Sequence, residues 1–130
     1  MLSDRLIRAA VAWFVIGVAL GTYMGAAGDF RLVHVHAHVN LLGWVALGLI
    51  GVLYAARPHL EHGWLPRAHY WLHNVGLVVF MGGFTWSRLS EVFHVVPVAL
   101  GASMVALGVL LFAANVFARL ATADRQPRAT

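Results

Sequence analysis

Four long apolar runs, parted only by short polar stretches, leave this chain of 130 residues few ways to fold. They extend from about Ala9 to Ala27, Leu32 to Ala56, Ala68 to Trp86 and Val95 to Ala118. Each is long enough to cross roughly 30 Å of hydrocarbon at ~1.5 Å per residue. The separators are Gly28 to Arg31, Arg57 to Gly63 and Ser87 to His94, and loops this short set each helix antiparallel to the next. The expected fold is all-α: an integral membrane four-helix up-down bundle over residues 1–121, with a cytoplasmic tail at 122–130. Composition agrees. Hydrophobic residues make up 61% and charged residues 11%, against roughly 25% charged in soluble domains. Without cysteine there is no thiolate metal site, thiol redox couple or covalent c-type haem.

All nine basic residues are arginines, placed singly at the ends of apolar runs. A nucleic-acid surface clusters its positive charge, so that class is excluded despite the high pI. Arg5, Arg8, Arg57, Arg67, Arg119, Arg125 and Arg128 fall on one side of the expected membrane; Arg31 and Arg88 fall on the other. The imbalance puts both termini in the cytoplasm of a multi-pass protein of the bacterial inner membrane. Arg5 and Arg8 before an apolar run ending in Gly25-Ala26-Ala27 also outline a signal peptide. The run is long for a signal core, and a retained helix is expected. Gly17, Gly21 and Gly25 recur every four residues, a spacing that admits the backbone of another helix. Trp64, Trp71 and Trp86 lie near the expected interfaces as belt residues, and Met24, Met81 and Met104 read as packing.

Eight histidines in so apolar a chain need partners or a function. His34, His36 and His38 open the second run; at roughly 100° per residue, His34 and His38 share a face and His36 points almost opposite. His94 stands at the same membrane level, at the entry to the fourth run. A b-type haem takes two imidazoles from different helices across one layer of a bundle. His34 or His38 opposite His94, or opposite a second subunit, meets that need, with Arg31 and Arg88 placed to pair with propionates. His38 is the deepest of the three and is expected to be the direct ligand. Asn40, about 200° further round, cannot orient that imidazole. His69 and His73 form an i, i+4 pair at the cytoplasmic end. With His59, Glu61 and His62 nearby, they suit an inner zinc or copper site. Arg67 and Trp71 point equally to an ordinary interface position. His59 and His62 themselves read as solvated loop residues.

The stretch Arg31–Tyr54, RLVHVHAHVNLLGWVALGLIGVLY, resembles the second transmembrane helix of the haem-copper oxidase catalytic subunit, nearest its nitric oxide reductase and cbb3-type branches. Short stand-alone relatives share the H-A-H-x-N-L-L-G-W core. The resemblance implies that His38 is an axial ligand of a low-spin haem b, with His34 the other possibility. No H-P-E-V-Y-like copper-site helix is present, so oxidase or nitric oxide reductase activity does not carry over. In that family three four-helix arcs surround a pseudo-threefold axis, and this chain corresponds to one arc. A homotrimer would restore the plan with true symmetry. The expected activity is electron transfer through haem b. The alternatives are a copper or zinc site formed on a trimer axis by His36, or by His34 and His38, and a non-catalytic partner of a respiratory complex.

Overall fold

The computed structural model describes residues 1–123, and every regular element among them is helical. Helix α1 spans Leu2–Ala27 and closes on Gly28, whose φ of 63° suits a residue without a Cβ. Helix α2 covers Val33–Ala56 and is not uniform: α-helical turns at Val33–His38 and Leu47–Ala56 flank a π-helical segment, Val39–Ala46. A 3-10 turn, Pro58–Glu61, leads to α3, Trp64–Ser90, and α4 follows at Val95–Ala123. Three of the four helices outrun their apolar stretches. The α-helical ladder continues into polar flanks that no hydrophobicity reading includes; α1, for example, begins seven residues before Ala9, with Asp4 in its first turn. Arg125, Arg128 and most of the expected tail lie outside the described residues.

Among the described residues three stretches are long and apolar enough to cross a membrane: Leu2–Ala27, Val33–Ala56 and Val95–Ala121. Helix α3 is not among them, although the run from Ala68 to Trp86 was expected to be a fourth span. Its 27 residues suffice in length. It carries Arg67, His69, His73, Asn74, Ser87 and Arg88, and of these His69, His73 and Ser87 are buried against its neighbours. Its histidines and Ser87 are therefore turned inward, while Arg67 and Arg88 near its ends and Trp71, Val75, Val78 and Trp86 are exposed.

Close contacts at small residues set the register between helices. Along α1 and α2, Gly51 lies against Leu6 and Ile7, Gly43 against Trp13, Asn40 against Gly17, and His36 against Gly21, so one number falls as the other rises. Along α3 and α4, Gly83 meets Pro97, Gly76 meets Met104, and Gly108 meets His73. Between α2 and α3, Leu42 bonds His73, and Arg88 Nε donates to the Arg31 carbonyl. The interior divides into two apolar layers. Met24, Val35, Val39, Leu77, Met81 and Val105 form one; Leu6, Leu47, Ile50, Tyr54 and Leu60 form the other. Charge divides in the same sense. Arg31 and Arg88 meet at one end, whereas Arg5 and Arg67 line a common cavity at the other, where Arg119 holds the carbonyls of His59 and His62.

The glycine spacing on α1 has a use other than the one expected. Asn40 fills the notch at Gly17 and the His36 imidazole fills the notch at Gly21, while nothing approaches Gly25. Polar side chains of α2, not another backbone, occupy the small-residue face.

Candidate functional site

The outer end of α2 sorts its three histidines by helical phase. His34 is exposed and His38 half-buried on the same face. The His38 Nδ1–H donates to the His34 carbonyl at 2.7 Å. A carbonyl only accepts, so this bond fixes the tautomer and leaves Nε2 with its lone pair. That is the arrangement by which a ligating histidine is usually held: one nitrogen tied to a backbone carbonyl, the other bare. Phe80 and Phe84 set their rings edge-on to the imidazole at 5.4 and 5.9 Å. His38 also lines an almost wholly apolar recess of about 620 Å³, bounded by Leu41 and Leu42 of α2, Phe80 of α3, and Val105 and Leu110 of α4. Leu41 and Leu110 are exposed, so the recess opens on the outer surface of the helices.

His36 points away from that recess. Its Nδ1–H donates to the Gly17 carbonyl at 2.9 Å, and Asn40 Nδ2 donates to the His36 carbonyl at 2.9 Å. The expected axial metal site built from His36 would have to form on the α1 side of α2, where the His36 ring is packed into the notch at Gly21 of its own chain. Asn40 indeed serves His36 rather than His38. His94 also departs from expectation. Its ring stacks on Trp86 at 3.7 Å between centroids, its Nε2 lies 3.1 Å from Ser90 Oγ, and its backbone N–H donates to Ser87 Oγ at 2.9 Å. Held by the last turn of its own hairpin partner, it does not line the recess of His38.

Arg31 is clamped to Asp29, with Nη2 donating to Oδ2 at 2.7 Å. That guanidinium pulls the Asp29 carboxyl down to about 2. Arg88 Nε donates to the Arg31 carbonyl, so the two outer arginines are neighbours, and the terminal nitrogens of Arg88 have no partner among the described residues.

The inner pair is more deeply placed than an interface position allows. His69 and His73 are both 0% exposed, with ring centroids 5.2 Å apart. His69 Nδ1–H donates to the Gly108 carbonyl and His73 Nε2–H to the Leu42 carbonyl, each at 3.0 Å. Leu42 lies in the π segment, where the wider turn alters the normal i→i−4 pairing of carbonyls. His69 Nε2 and His73 Nδ1 remain buried without a partner. The expected companions go elsewhere: the His59 and His62 carbonyls accept from Arg119, and Glu61 Oε2 accepts the Ser3 N–H at 2.8 Å. Among the described residues no three His, Asp or Glu side chains gather closely enough to hold a metal ion. A zinc ion, which takes four ligands, finds too few donors at His69 and His73.

One polar network has no counterpart in the sequence reading. Asn115, 0% exposed in α4, donates through Nδ2 to the Leu60 carbonyl at 2.8 Å and lies 3.5 Å from Tyr54 Oη. Arg119 Nε donates to its Oδ1 at 2.9 Å. The available signal was an asparagine inside an apolar run with an arginine four residues on, one turn along the same face. This network ties α4 to the loop at 57–61. No family model, curated protein or solved structure matches this chain.

Proposed function

We propose that the chain is one up-down four-helix arc of a bacterial inner-membrane protein that binds haem b, with His38 as a direct ligand, and serves in electron transfer. The observation that carries this reading is the state of His38: Nδ1 is tied to the His34 carbonyl, and Nε2 is left bare beside an apolar recess of about 620 Å³. A planar apolar macrocycle suits such a recess, and a neutral imidazole suits its iron. When bound, the haem supplies a one-electron couple. The protein excludes water through Leu41, Leu42, Phe80 and Val105, and fixes the imidazole through His34. Arg88, with its terminal nitrogens unengaged, offers a cation to propionates at the outer end, and Arg31 beside it would join it on leaving Asp29.

His38 is the one histidine that lines this recess among the described residues, since His36 faces α1 and His94 is held by Trp86 and Ser90. A second ligand has to come from another copy, which favours a homotrimer with α2 nearest the axis and each recess closed by a neighbour. A second reading, copper shared between copies, draws support from the exposure of His34 on the face of His38. The absorption spectrum and metal content of the purified protein separate the two. A reducible b-type band is expected, abolished or severely weakened by His38→Ala and retained in His62→Ala. Full cofactor occupancy in His38→Ala would show that another residue holds the group.

A further inference from the structure

The inner end of the molecule carries a cavity of about 450 Å³ that the cofactor reading does not use. It lies between the first turn of α1, the loop before α3 and the first two turns of α3. Arg5, Arg67 and His62 line it together with Glu61, Tyr70 and Trp71. The Arg5 and Arg67 guanidiniums make no ion pair or hydrogen bond among the described residues. Glu61 pairs with neither; one of its carboxylate oxygens is engaged by the Ser3 N–H. Two unengaged planar cations against the single carboxylate of Glu61 leave the cavity lining net positive, and arginine forks match the oxygens of a phosphate group.

The cavity's position selects the anion. It lies where the Leu2–Ala27 span begins, at the level where headgroups meet the hydrocarbon. Its aromatic wall, Tyr70 against Trp71 with centroids 5.3 Å apart, ends in a Trp71 that is 60% exposed, as at a membrane interface. We propose that this cavity binds the phosphodiester of an anionic phospholipid, with Arg5 and Arg67 as its two cationic contacts. Basic recesses between helices on the cytoplasmic side take anionic headgroups in this way. The proposal rests on the membrane reading of the chain but not on the His38 cofactor, so the two fail separately.

Native mass spectrometry of the purified full chain, titrated with phosphatidylglycerol and separately with phosphatidylcholine, tests it. Phosphatidylcholine has the same phosphodiester but cancels its charge with choline. Retention of phosphatidylglycerol and loss of phosphatidylcholine is expected. Arg5→Gln and Arg67→Gln should each weaken retention about fivefold. Arg8→Gln, which removes a charge from the same helix end but not from the cavity, should leave it unchanged. Phosphatidylglycerol should also raise the thermal midpoint of the unsubstituted protein more than that of either cavity variant. Equal loss in Arg8→Gln would mean diffuse surface charge and would overturn the site. Equal retention of phosphatidylcholine, or displacement of the lipid by excess inorganic phosphate, would overturn the anionic phospholipid as its ligand.

Discussion

A methyl group added at Gly43 would stand 2.6 Å from both Cβ and Cγ of Trp13. Those atoms are close to the α1 backbone, so relief requires the helices to part. At Gly17 a methyl would meet the end of Asn40, also at 2.6 Å, but that amide can swing away by giving up its bond to the His36 carbonyl. At Gly25 it would meet nothing. Overpacking costs typically 1–3 kcal/mol, whereas an unopposed helical Gly→Ala change gains roughly 0.5–1 kcal/mol. The denaturation midpoint in detergent should therefore fall most for Gly43→Ala, less for Gly17→Ala, and hold or rise for Gly25→Ala. An equal fall at all three positions would contradict the packing described. The four-residue repeat was legible in the sequence, and so was the matching i, i+4 spacing of His36 and Asn40. Which side chain enters which notch was not, because that depends on the register between helices, and spacing along one chain does not encode it. The same gap separates the expected inner histidine cluster from the observed one. The His69/His73 spacing was plain, but Gly108 and Leu42, which hold the pair, lie far away in sequence.

Helix α2 meets α1 through both of its halves. Its outer half seats His36 and Asn40 in the Gly21 and Gly17 notches, and its inner half packs Leu47, Ile50 and Gly51 on Leu6, Ile7 and Ala10. The π segment, Val39–Ala46, lies between them. Removing one residue from a helix rotates its two flanking parts by roughly 100° relative to each other. Deleting the exposed Leu41 should convert the segment to an α-helix and turn His34, His36 and His38 off their present faces. The deletion variant is expected to lose the Leu42–His73 bond and any cofactor held at His38, with a lower midpoint. A variant that keeps its absorption band and stability would show that the π turn has no part in placing His38. No residue pattern announced this segment: it contains no proline, and its apolar residues read equally well at helical spacing. Its close neighbours are tertiary ones, Trp13 against Gly43 and His73 on Leu42. Helix α3 was legible as a helix for the opposite reason, by its long apolar face, although its buried histidines and terminal arginines lower its average hydrophobicity below that of the other three.

Across the whole molecule the two ends differ in charge, and α3 joins them. Its Arg67 lines a cavity with Arg5, and its Arg88 donates to the carbonyl of Arg31 at the other end of α1 and α2. Two of the three apolar spans, Leu2–Ala27 and Val33–Ala56, connect those same ends. If they cross the bilayer, α3 beside them crosses too. Its histidines are then covered by Gly108 of α4 and Leu42 of α2, and lipid meets Trp71, Val75, Val78 and Trp86. The carbonyls of Gly108 and Leu42 satisfy one nitrogen of each ring inside the protein, where lipid could not. The chain contains no cysteine, so single cysteines report their side without interference. Phe30, Val92 and His59 are exposed in the three connections. In intact cells a membrane-impermeant maleimide should label Phe30→Cys and Val92→Cys, and should reach His59→Cys only after lysis. The direction follows from arginine: Arg5, Arg8, Arg57, Arg67 and Arg119 lie at the His59 end, and cytoplasmic loops retain positive charge. Labelling of His59→Cys alone in intact cells would invert the molecule and put His38 near the cytoplasm. Labelling of Phe30→Cys but not Val92→Cys would mean that α3 does not cross. In that case its buried polar face would need an explanation outside the bilayer.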